Sequence, residues 1–462
     1  MIHYVSTRGQ AGRRSFEEVL LAGLAEDGGL FVPERWPGFS AAELRAMRGL
    51  DYPALAARLL APFTVGCFSH DDLLRLAQRA YAPFDHAATA PLRHLGGDDW
   101  LLELFHGPTL AFKDFAMQLL GAMFDEVLER RGERLTIVGA TSGDTGAAAV
   151  HAFADKRRVR IAMLHPENRV SPVQRRQMTT VQAANVLNLA VRGTFDDCQD
   201  LVKAMFNDVP FRRKWTLSAV NSINWARVVA QVVYYVWAGL RLGAPDRAIA
   251  FVVPSGNFGN VYAGRVAAAI GLPVERLVVA TNENDILARF LATRRYERGT
   301  VTATTSPSMD IQVASNFERL LLELERHDAD RTRGLMQGFA QSGGFTVEGE
   351  LPSLLAGGSA DQAEVARTIA ATRQATGDLV DPHTAVALAV AARQPTSPGV
   401  PKVALATAHP AKFPDAVEAA VGYRPALPER YADLMRRAER CTVVANDLTA
   451  VEAAIRAGFE AA

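Results

Sequence analysis

The feature that most constrains the fold of this chain is a repeated order of short apolar segments, each leading through a turn into a helix. The apolar segments are 135–140, 160–164, 186–191, 248–253, 277–280 and 403–406. Short apolar runs that alternate with helices are typical of the buried strands of a parallel sheet, with helices covering both faces. Because these segments outnumber the strands that one compact sheet readily uses, the sequence predicts an α/β protein with two lobes.

The first 90 residues or so follow a different pattern and predict a mainly helical region. Ser15 and Ser40 each stand three residues before a glutamate, at Glu18 and Glu43. This spacing is a capping box, in which the serine oxygen accepts from a free helix N–H and the glutamate accepts from the serine N–H. Between these two helix starts, residues 27–33 (DGGLFVP) indicate a turn that enters a short extended piece.

The composition excludes several classes of protein. The chain has 462 residues, 49% of them hydrophobic, and its 50 basic residues balance its 50 acidic residues. Intrinsic disorder needs less apolar content, and proteins that bind nucleic acid or anionic membranes carry a basic surplus. The longest apolar stretch, 228–240, is shorter than the ~20 residues that cross a bilayer and predicts a buried helix. We therefore expect no nucleic-acid or membrane partner.

The N-terminus, the cysteines and the histidines predict a cytoplasmic protein without a metal site. The first residues contain no apolar run of the kind found in signal peptides. Cys67, Cys198 and Cys441 are isolated and form no CxxC pair, which argues against disulfides and zinc. The ten histidines form no HExxH motif, so no metal ligand set is predicted.

Lysine is scarce in this chain, and the first lysine has an unusual setting. The 50 basic residues include only six lysines: Lys113, Lys156, Lys203, Lys214, Lys402 and Lys412. Lys113 lies in the apolar segment 109–115 (TLAFKDF), where burial would lower the pKa of its ammonium group, as in lysines that form Schiff bases. A surface lysine on an apolar helix is the alternative. Because arginine supplies the ordinary surface charge here, the composition favours a role for the amine.

Two turns rich in glycine indicate anion sites. Residues 255–260 (SGNFGN) follow an apolar segment and open a helix, whose free N–H groups and dipole favour an anion. The spacing matches neither GxGxxG nor a P-loop, so it predicts a site for one small phosphate, with a plain tight turn as the alternative. Residues 141–146 (TSGDTG) suit a carboxylate or a phosphate, unless their side chains only cap the helix. A reactive lysine and a site for one phosphate together suggest pyridoxal 5′-phosphate as the cofactor.

Nine segments, in the same order, resemble the threonine synthase family of fold-type II pyridoxal-phosphate enzymes. The most specific segment is the lysine motif LFHGPTLAFKDFAMQ (104–118). The others are GLAEDGGLFVP (23–33), ATSGDTGAA (140–148), FDDCQDLVK (195–203), NSINWAR (221–227), VVPSGNFGN (252–260), SPSMDIQVASNFERLL (306–321), DPHTAVAL (381–388) and LATAHPAKFP (405–414). The resemblance covers nearly the whole chain and is to the longer bacterial and fungal branch of the family.

The resemblance implies a fold and a reaction. The fold would be the α/β architecture of fold-type II enzymes, similar to the tryptophan synthase β subunit, with two lobes of parallel, twisted sheet. An N-terminal domain would span 1–90 and a catalytic core 91–462, with a smaller lobe at about 114–215 and a larger lobe in the remainder. The reaction would convert O-phospho-L-homoserine and water to L-threonine and phosphate by γ-elimination and β-addition of water. The enzyme, a lyase, would act in the cytoplasm as a monomer or homodimer.

The resemblance also implies roles for individual residues. Lys113 would hold the cofactor as a Schiff base and move protons, Thr407 would bond to the pyridine nitrogen, and Asp144 would lie near the 3′-oxygen. The residues expected to bind the cofactor phosphate are Gly256, Asn257, Phe258, Gly259 and Asn260. The residues expected near the substrate are Thr141, Ser142, Gly143, Asp144, Thr145, Ser306, Ser308, Asp310 and Asn316. The candidates for the substrate phosphate, each with a solvated helix face as an equal alternative, are Arg175, Arg176 and Arg227.

The sequence motifs also allow two other functions. A related fold-type II enzyme, such as a hydroxy-amino-acid dehydratase or a phospholyase, would share the lysine and the phosphate loop. The segments EDGGLFVP (26–33) and SPSMDI (306–311) favour the threonine synthase family over ordinary dehydratases. A catalytically silent homologue that serves as a binding protein would not need Lys113, Thr407 and both glycine-rich turns, so their presence argues against it.

Overall fold

The computed structural model describes residues 2–219 and 221–460. Its N-terminal part is mainly helical, as predicted, and both capping boxes form, Ser15 with Glu18 and Ser40 with Glu43. A short antiparallel pair of strands joins residues 4–6 to residues 31–33. Its elements are β1 (Tyr4–Ser6), α1 (Phe16–Ala22), β2 (Phe31–Pro33), α2 (Ala41–Ala46), α3 (Tyr52–Leu60) and α4 (His70–Tyr81).

The next part of the chain alternates strands and helices in the predicted way. Its elements are β3 (Leu92–Gly96), β4 (Asp99–Glu103), α5 (Lys113–Arg131), β5 (Leu135–Ala140), α6 (Asp144–Phe153), β6 (Val159–Pro166), α7 (Pro172–Thr179), β7 (Val186–Val191), α8 (Phe195–Asn207), α9 (Val209–Trp215) and β8 (Leu217–Ser218).

The remaining elements begin with a long helix, α10 (Trp225–Arg241), which is buried from Trp225 to Leu240. This confirms the buried helix predicted at 228–240. The other elements are β9 (Ile249–Pro254), α11 (Gly259–Ala269), β10 (Val274–Thr281), α12 (Ile286–Thr293), β11 (Arg295–Glu297), α13 (Phe317–Leu324), α14 (Ala329–Ser342), β12 (Gly344–Thr346), β13 (Leu355–Ser359), α15 (Gln362–Thr376), α16 (Pro382–Ala391), β14 (Lys402–Ala406), α17 (Pro414–Val421), β15 (Thr442–Val444) and α18 (Leu448–Glu460).

Two main sheets organise these elements, and all six predicted apolar segments are strands in them. The larger sheet has the order β13-β10-β9-β14-β4-β3, and only β3 runs antiparallel to its neighbour. Helices pack against both faces, because a parallel sheet buries both of its sides. The predicted α/β class, with two mainly parallel sheets flanked by helices, is confirmed. Within the described residues, no helix is both long and apolar enough to cross a membrane.

The smaller sheet is wholly parallel, with the order β15-β7-β6-β5-β8. The strands of this sheet correct the expectation that all residues of the core 91–462 outside about 114–215 belong to the larger lobe. Strand β8 extends the sheet past residue 215, and β15 comes from near the end of the chain. The physical reason is the apolar face of α18, where Val451, Ile455 and Phe459 are buried in the core of this sheet.

The turns that carry the predicted site follow the carboxyl ends of strands from both sheets. Strand β5 ends before the turn 141–146, β9 ends before 255–260, and β14 ends at Ala406, before Thr407. Ligands of open α/β sheets bind in the crevice outside the carboxyl ends of the strands. The fold therefore directs all three segments toward one cleft.

Candidate active site

Lys113 is the first residue of α5 and lies beside the end of β14. The N–H of Phe112 donates a hydrogen bond of 2.8 Å to the carbonyl of Thr407, which fixes this position. Only 12% of the Lys113 side chain is exposed. Burial is the main cause that lowers the pKa of Lys113, and the nearby Asp144 carboxylate opposes that shift. Lys113 thus has the buried setting of a lysine that reacts as a free amine.

Asp144, the first residue of α6, is the centre of a buried polar cluster. Its Oδ2 accepts from Lys113 Nζ at 3.4 Å, and its Oδ1 accepts from Lys412 Nζ at 2.8 Å. Gln174 on α7 donates a further hydrogen bond of 2.7 Å to Oδ1. Burial alone would raise the pKa of Asp144, but the ammonium groups of Lys412 and Lys113 hold it well below its usual range. The carboxylate is therefore ionised and shared by two lysines.

The hydroxyl group of Thr141 holds the turn 141–146 together. Thr141 Oγ1 accepts from the N–H groups of Gly143 at 3.0 Å and Gly146 at 2.9 Å. Thr145 lines the cleft, whereas Ser142 is exposed and Thr141 is buried. Thr141 therefore shapes the turn, and Thr145 is the hydroxyl that the turn presents to the cleft.

The turn 255–260 leaves several polar groups without partners. Phe258 precedes α11 with a positive φ of 64°, and no described side chain caps this helix. Ser255 Oγ and Asn260 Nδ2 are buried and bond to no described residue. A Cβ at Gly256 would lie 2.9 Å from the carbonyl oxygen of Ser308, so only glycine fits there. Free helix N–H groups, beside polar side chains that no described residue satisfies, make this turn suited to an anion.

Arg227 adds an uncompensated positive charge to the same cleft. It lies in α10, is 4% exposed, and lines the cleft together with Lys113 and Ser255. Its Nε and Nη1 atoms are buried without a hydrogen-bond partner among the described residues. Burial lowers the pKa of Arg227 to about 10. Because a buried charge without a partner is costly, this guanidinium is suited to bind an anionic ligand.

The other two arginine candidates do not line the cleft. Arg175 and Arg176, both on α7, each form an ion pair of 3.1 Å with Glu439. Arg176 also donates to the carbonyls of Leu434 and Arg437, at 3.3 and 2.9 Å. These contacts fasten α7 to the C-terminal segment. For both arginines, a structural role replaces the predicted contact with substrate.

The segment 306–310 also differs from the prediction. Ser306 is fully buried and accepts from Asn282 Nδ2 at 2.9 Å. Asp310 accepts from the same amide at 2.7 Å and from the N–H of Thr304 at 2.8 Å. These bonds fold the segment so that Ser308, rather than Ser306 or Asp310, reaches the cleft. Within the described residues, Ser306 and Asp310 therefore support the loop and are not among the side chains that line the cleft.

The cleft has a volume of about 630 Å³ including its open solvent space, and four of its polar lining residues are additional to those predicted from the sequence. They are Ser222, Gln231, Ser255 and His383. His383 Nδ1 bonds to Asp381 at 2.6 Å, while its Nε2 is buried and bonds to no described residue. Ser222, Ser255 and His383 lie in segments that resemble the family, at 221–227, 252–260 and 381–388. Gln231 interrupts an apolar helix, and a polar residue in such a helix is a signal from which its place in the site could have been predicted.

Asn316 connects the two halves of the cleft. Its Nδ2 donates to the carbonyls of Asn257 and Ser222, each at 3.1 Å. Its Oδ1 accepts from Arg319, whose Nε donates to the carbonyl of Phe31 at 3.0 Å. Asn316 therefore supports the turn 255–260 from behind.

Comparison with protein families divides the chain into three matches. Residues 3–81 match the family described as "Threonine synthase N terminus", and residues 384–455 match "Threonine synthase, C-terminal". Residues 86–406 match "Pyridoxal-phosphate dependent enzyme".

Individual relatives agree with these matches over the full chain. The chain is 51% identical to threonine synthase of Pseudomonas aeruginosa, across 98% of this chain and 97% of that protein. The crystal structure of PLP-bound threonine synthase from Brucella melitensis matches with a TM-score of 0.97 at 52% identity, over 99% of each chain. Threonine synthase from yeast matches with a TM-score of 0.94 at 37% identity, over 100% of this chain and 99% of that one. The chain therefore belongs to the threonine synthase family of pyridoxal-phosphate-dependent enzymes.

Proposed function

We propose that the chain converts O-phospho-L-homoserine and water to L-threonine and phosphate, the last step of threonine biosynthesis. The observation that carries the proposal is the position of Arg227, which lines the cleft with two buried guanidinium nitrogens that bond to no described residue. The turn 255–260 already supplies a site for the single phosphate of the cofactor. A second anion site beside Lys113 favours a substrate that carries a phosphate of its own.

The residues of the cleft fit pyridoxal 5′-phosphate. The free N–H groups and the unpartnered Asn260 Nδ2 support phosphate binding by residues 256–260. Thr407 is 5% exposed and adjoins Lys113, which supports a neutral hydroxyl partner for the pyridine nitrogen. Asp144, within 3.4 Å of Lys113 Nζ, is placed for the 3′-oxygen. When bound, the cofactor supplies an aldehyde that condenses with an amine, with release of water, and a ring that withdraws electrons.

Lys113 is the proposed proton carrier at Cα and Cβ of the substrate. Its burial lowers its pKa, and this favours the unprotonated amine that can accept a proton and then return it. Arg227 binds the substrate phosphate in this proposal, and it retains the phosphate after the bond to Cγ has broken. The retained phosphate then stays close to the carbon that takes up water. Thr145 and Ser308 line the cleft and are the proposed hydroxyl contacts to the substrate.

For the chain as a whole, we propose an N-terminal domain at 1–90 and a catalytic core at 91–462. The smaller lobe would comprise about 114–218 together with the C-terminal residues 442–460, because β15 and α18 pack on its sheet. Cys67 and Cys198 are buried free thiols, which supports a reducing compartment such as the cytoplasm. A monomer or a homodimer is the proposed assembly.

The direct test is to incubate the holoenzyme with O-phospho-L-homoserine and to measure threonine and phosphate. Equal amounts of both products are expected. Release of phosphate with 2-ketobutyrate and no threonine would favour a fold-type II eliminase instead, and release of neither product would contradict the proposal.

A variant series tests the assigned lysine. Lys113→Ala should abolish turnover and the cofactor's visible absorbance while leaving the circular dichroism spectrum unchanged. Lys203→Ala, at an exposed lysine paired with Asp200, serves as the control and should retain both. Full activity of Lys113→Ala would contradict the assignment.

A further inference from the structure

Lys412 is the second buried lysine of the site, and the proposed reaction leaves it without a role. It ends the 3₁₀ turn Pro410–Lys412 after β14, and its side chain is 0% exposed. Its Nζ donates to Asp144 Oδ1 at 2.8 Å and to the carbonyl of Thr109 at 2.5 Å. By contrast, Lys203 and Lys214 pair with carboxylates at the surface.

Lys412 and Lys113 share one carboxylate, with one oxygen of Asp144 facing each lysine. Asp144 attracts the proton of the Lys113 ammonium, whereas the charges of Lys412 and Arg227 repel it. The protonation of Lys113 therefore depends on a balance among its neighbours. The charged and titratable groups around it, from α6, the 3₁₀ turn, α10, α16 and its own helix, are Asp144, Lys412, Arg227, His383 and Asp114.

Stability alone does not account for Lys412. At a fully buried position, an apolar side chain of similar volume commonly stabilises a protein as much as an ion pair does, because desolvation of both charges offsets their attraction. Lys412 also adds a third positive charge to a region that already holds Lys113 and Arg227. This arrangement indicates a function for the charge itself.

We propose that Lys412 is a positioning residue that neutralises Asp144 and thereby keeps Lys113 available as a reactive amine. The inference rests on the proposed function, in which Lys113 reacts with the cofactor. Without Lys412, Asp144 would pair with Lys113 alone and hold a proton on its Nζ. With Lys412, the carboxylate keeps a counter-charge after Lys113 has lost its own, so no uncompensated anion remains in the buried site.

The test is the pH dependence of cofactor capture by the apoenzyme, followed by the absorbance of pyridoxal 5′-phosphate. For Lys412→Met we expect capture at neutral pH to slow about tenfold, as for a midpoint raised by about one pH unit, and to approach the wild-type rate at alkaline pH. Lys412→Arg keeps the charge and should restore the wild-type midpoint. Lys214→Met, at an exposed lysine paired with Glu460, is the matched control and should not change the profile.

Asp144→Asn and the double variant Asp144→Asn/Lys412→Met complete the cycle. The single variant should move the midpoint to lower pH, because Lys113 loses the carboxylate that holds its proton. Since the effect of Lys412 passes through Asp144, adding Lys412→Met to Asp144→Asn should move the midpoint by less than Lys412→Met does in the wild type. A Lys412→Met profile that overlays the wild-type profile would overturn the inference.

If Lys412→Met does not fold, Lys412→Gln replaces it, because this variant removes the charge but keeps a hydrogen-bond donor at the same position. A higher midpoint in Lys412→Gln than in the wild type supports the inference, and equal midpoints refute it. A failure of the proposed function has a different signature, since Lys113→Ala would then capture the cofactor as the wild type does.

Discussion

Arg319 Nε donates a hydrogen bond of 3.0 Å to the carbonyl of Phe31, which joins helix α13 to the N-terminal strand β2. The same guanidinium donates to the carbonyl of Ile223 at 2.6 Å and to Asn316, which in turn bonds to the carbonyl of Asn257 at 3.1 Å. One fully buried side chain thus connects the N-terminal region to the turn that we propose to bind the cofactor phosphate.

Arg319→Met should lower the free energy of unfolding of the apoenzyme by about 2–4 kcal/mol, because two buried acceptors and one half-buried acceptor lose their donor. The affinity for pyridoxal 5′-phosphate should also fall, since Asn316 loses the group that holds it against the turn. Urea unfolding and cofactor titration measure the two effects. Arg192→Met removes an arginine whose side chain is 71% exposed, and it should change neither quantity. Unchanged cofactor affinity in a destabilised Arg319→Met would limit Arg319 to a structural role.

Arg227→Met should separate stability from ligand binding. Because the variant removes a buried charge that no described residue compensates, the free energy of unfolding of the apoenzyme should stay level or rise by about 1 kcal/mol. In the holoenzymes, where the cofactor fills the turn 255–260, inorganic phosphate at about 100 times its Kd should stabilise the wild type by about 2.7 kcal/mol and should not stabilise the variant.

The control for Arg227 is Arg175→Met, which breaks an ion pair with Glu439 outside the cleft. This variant should keep the stabilisation by phosphate. If phosphate stabilised Arg227→Met as much as the wild type, the second anion site would have to lie elsewhere.

His151 should make the apoenzyme less stable in acid. Burial lowers its pKa to about 4, and its Nε2–H donates to the carbonyl of Gln177 at 2.8 Å. The unfolded chain, with a histidine pKa of about 6.5, binds more protons than the folded chain between pH 6.5 and 4. The stabilisation is therefore complete above about pH 6.5 and is lost as the pH falls toward 4, by about 1–2 kcal/mol for this partly exposed side chain.

The histidine effect is isolated by His151→Gln, which keeps a donor for Gln177 but cannot become charged. Urea unfolding at pH 7 and pH 4.5 should show a smaller loss of stability in this variant than in the wild type. Burial also lowers the pKa of His409 to about 4, so this histidine contributes to the acid sensitivity of both proteins. The contribution of His151 is therefore the difference between the stability losses of the wild type and of His151→Gln. His70→Gln, at an exposed position of α4, should retain the wild-type pH dependence.

The strands of the two main sheets could be predicted because their apolar runs must be buried. The segments around Ile137, Val252 and Leu405 all became strands. The place of β15 could not be predicted in the same way, since residues 442–444 are too short to show a pattern. Their pairing with β7, which lies about 250 residues earlier, depends on how the apolar face of α18 packs.

The site shows the same division between local and tertiary information. The burial of Lys113 was predictable because its neighbours in the sequence are apolar. The buried contacts of Lys412, by contrast, are with Asp144 and Thr109, which lie far away in the sequence. Arg227 could not be distinguished from Arg175 by sequence, because both lie on helices. Only the tertiary position of Glu439 shows which guanidinium is already paired.

Gly143→Ala should impair catalysis more than stability. Gly143 has a φ of 152°, and a Cβ there would lie 2.6 Å from the amide of Gln174, which donates to Asp144. The methyl group should displace that amide, so that Asp144 loses a donor, and we expect a loss of about 1–3 kcal/mol in unfolding free energy together with a fall in kcat.

Gly132→Ala is the matched control, because Gly132 also has a positive φ, of 66°, but a Cβ there meets nothing within 4 Å. It should lose about 1 kcal/mol and keep full activity. Because Gln174→Ala removes the clashing amide, the stability losses of Gly143→Ala and Gln174→Ala should be less than additive in the double variant, and strict additivity would show that the clash does not act through Gln174.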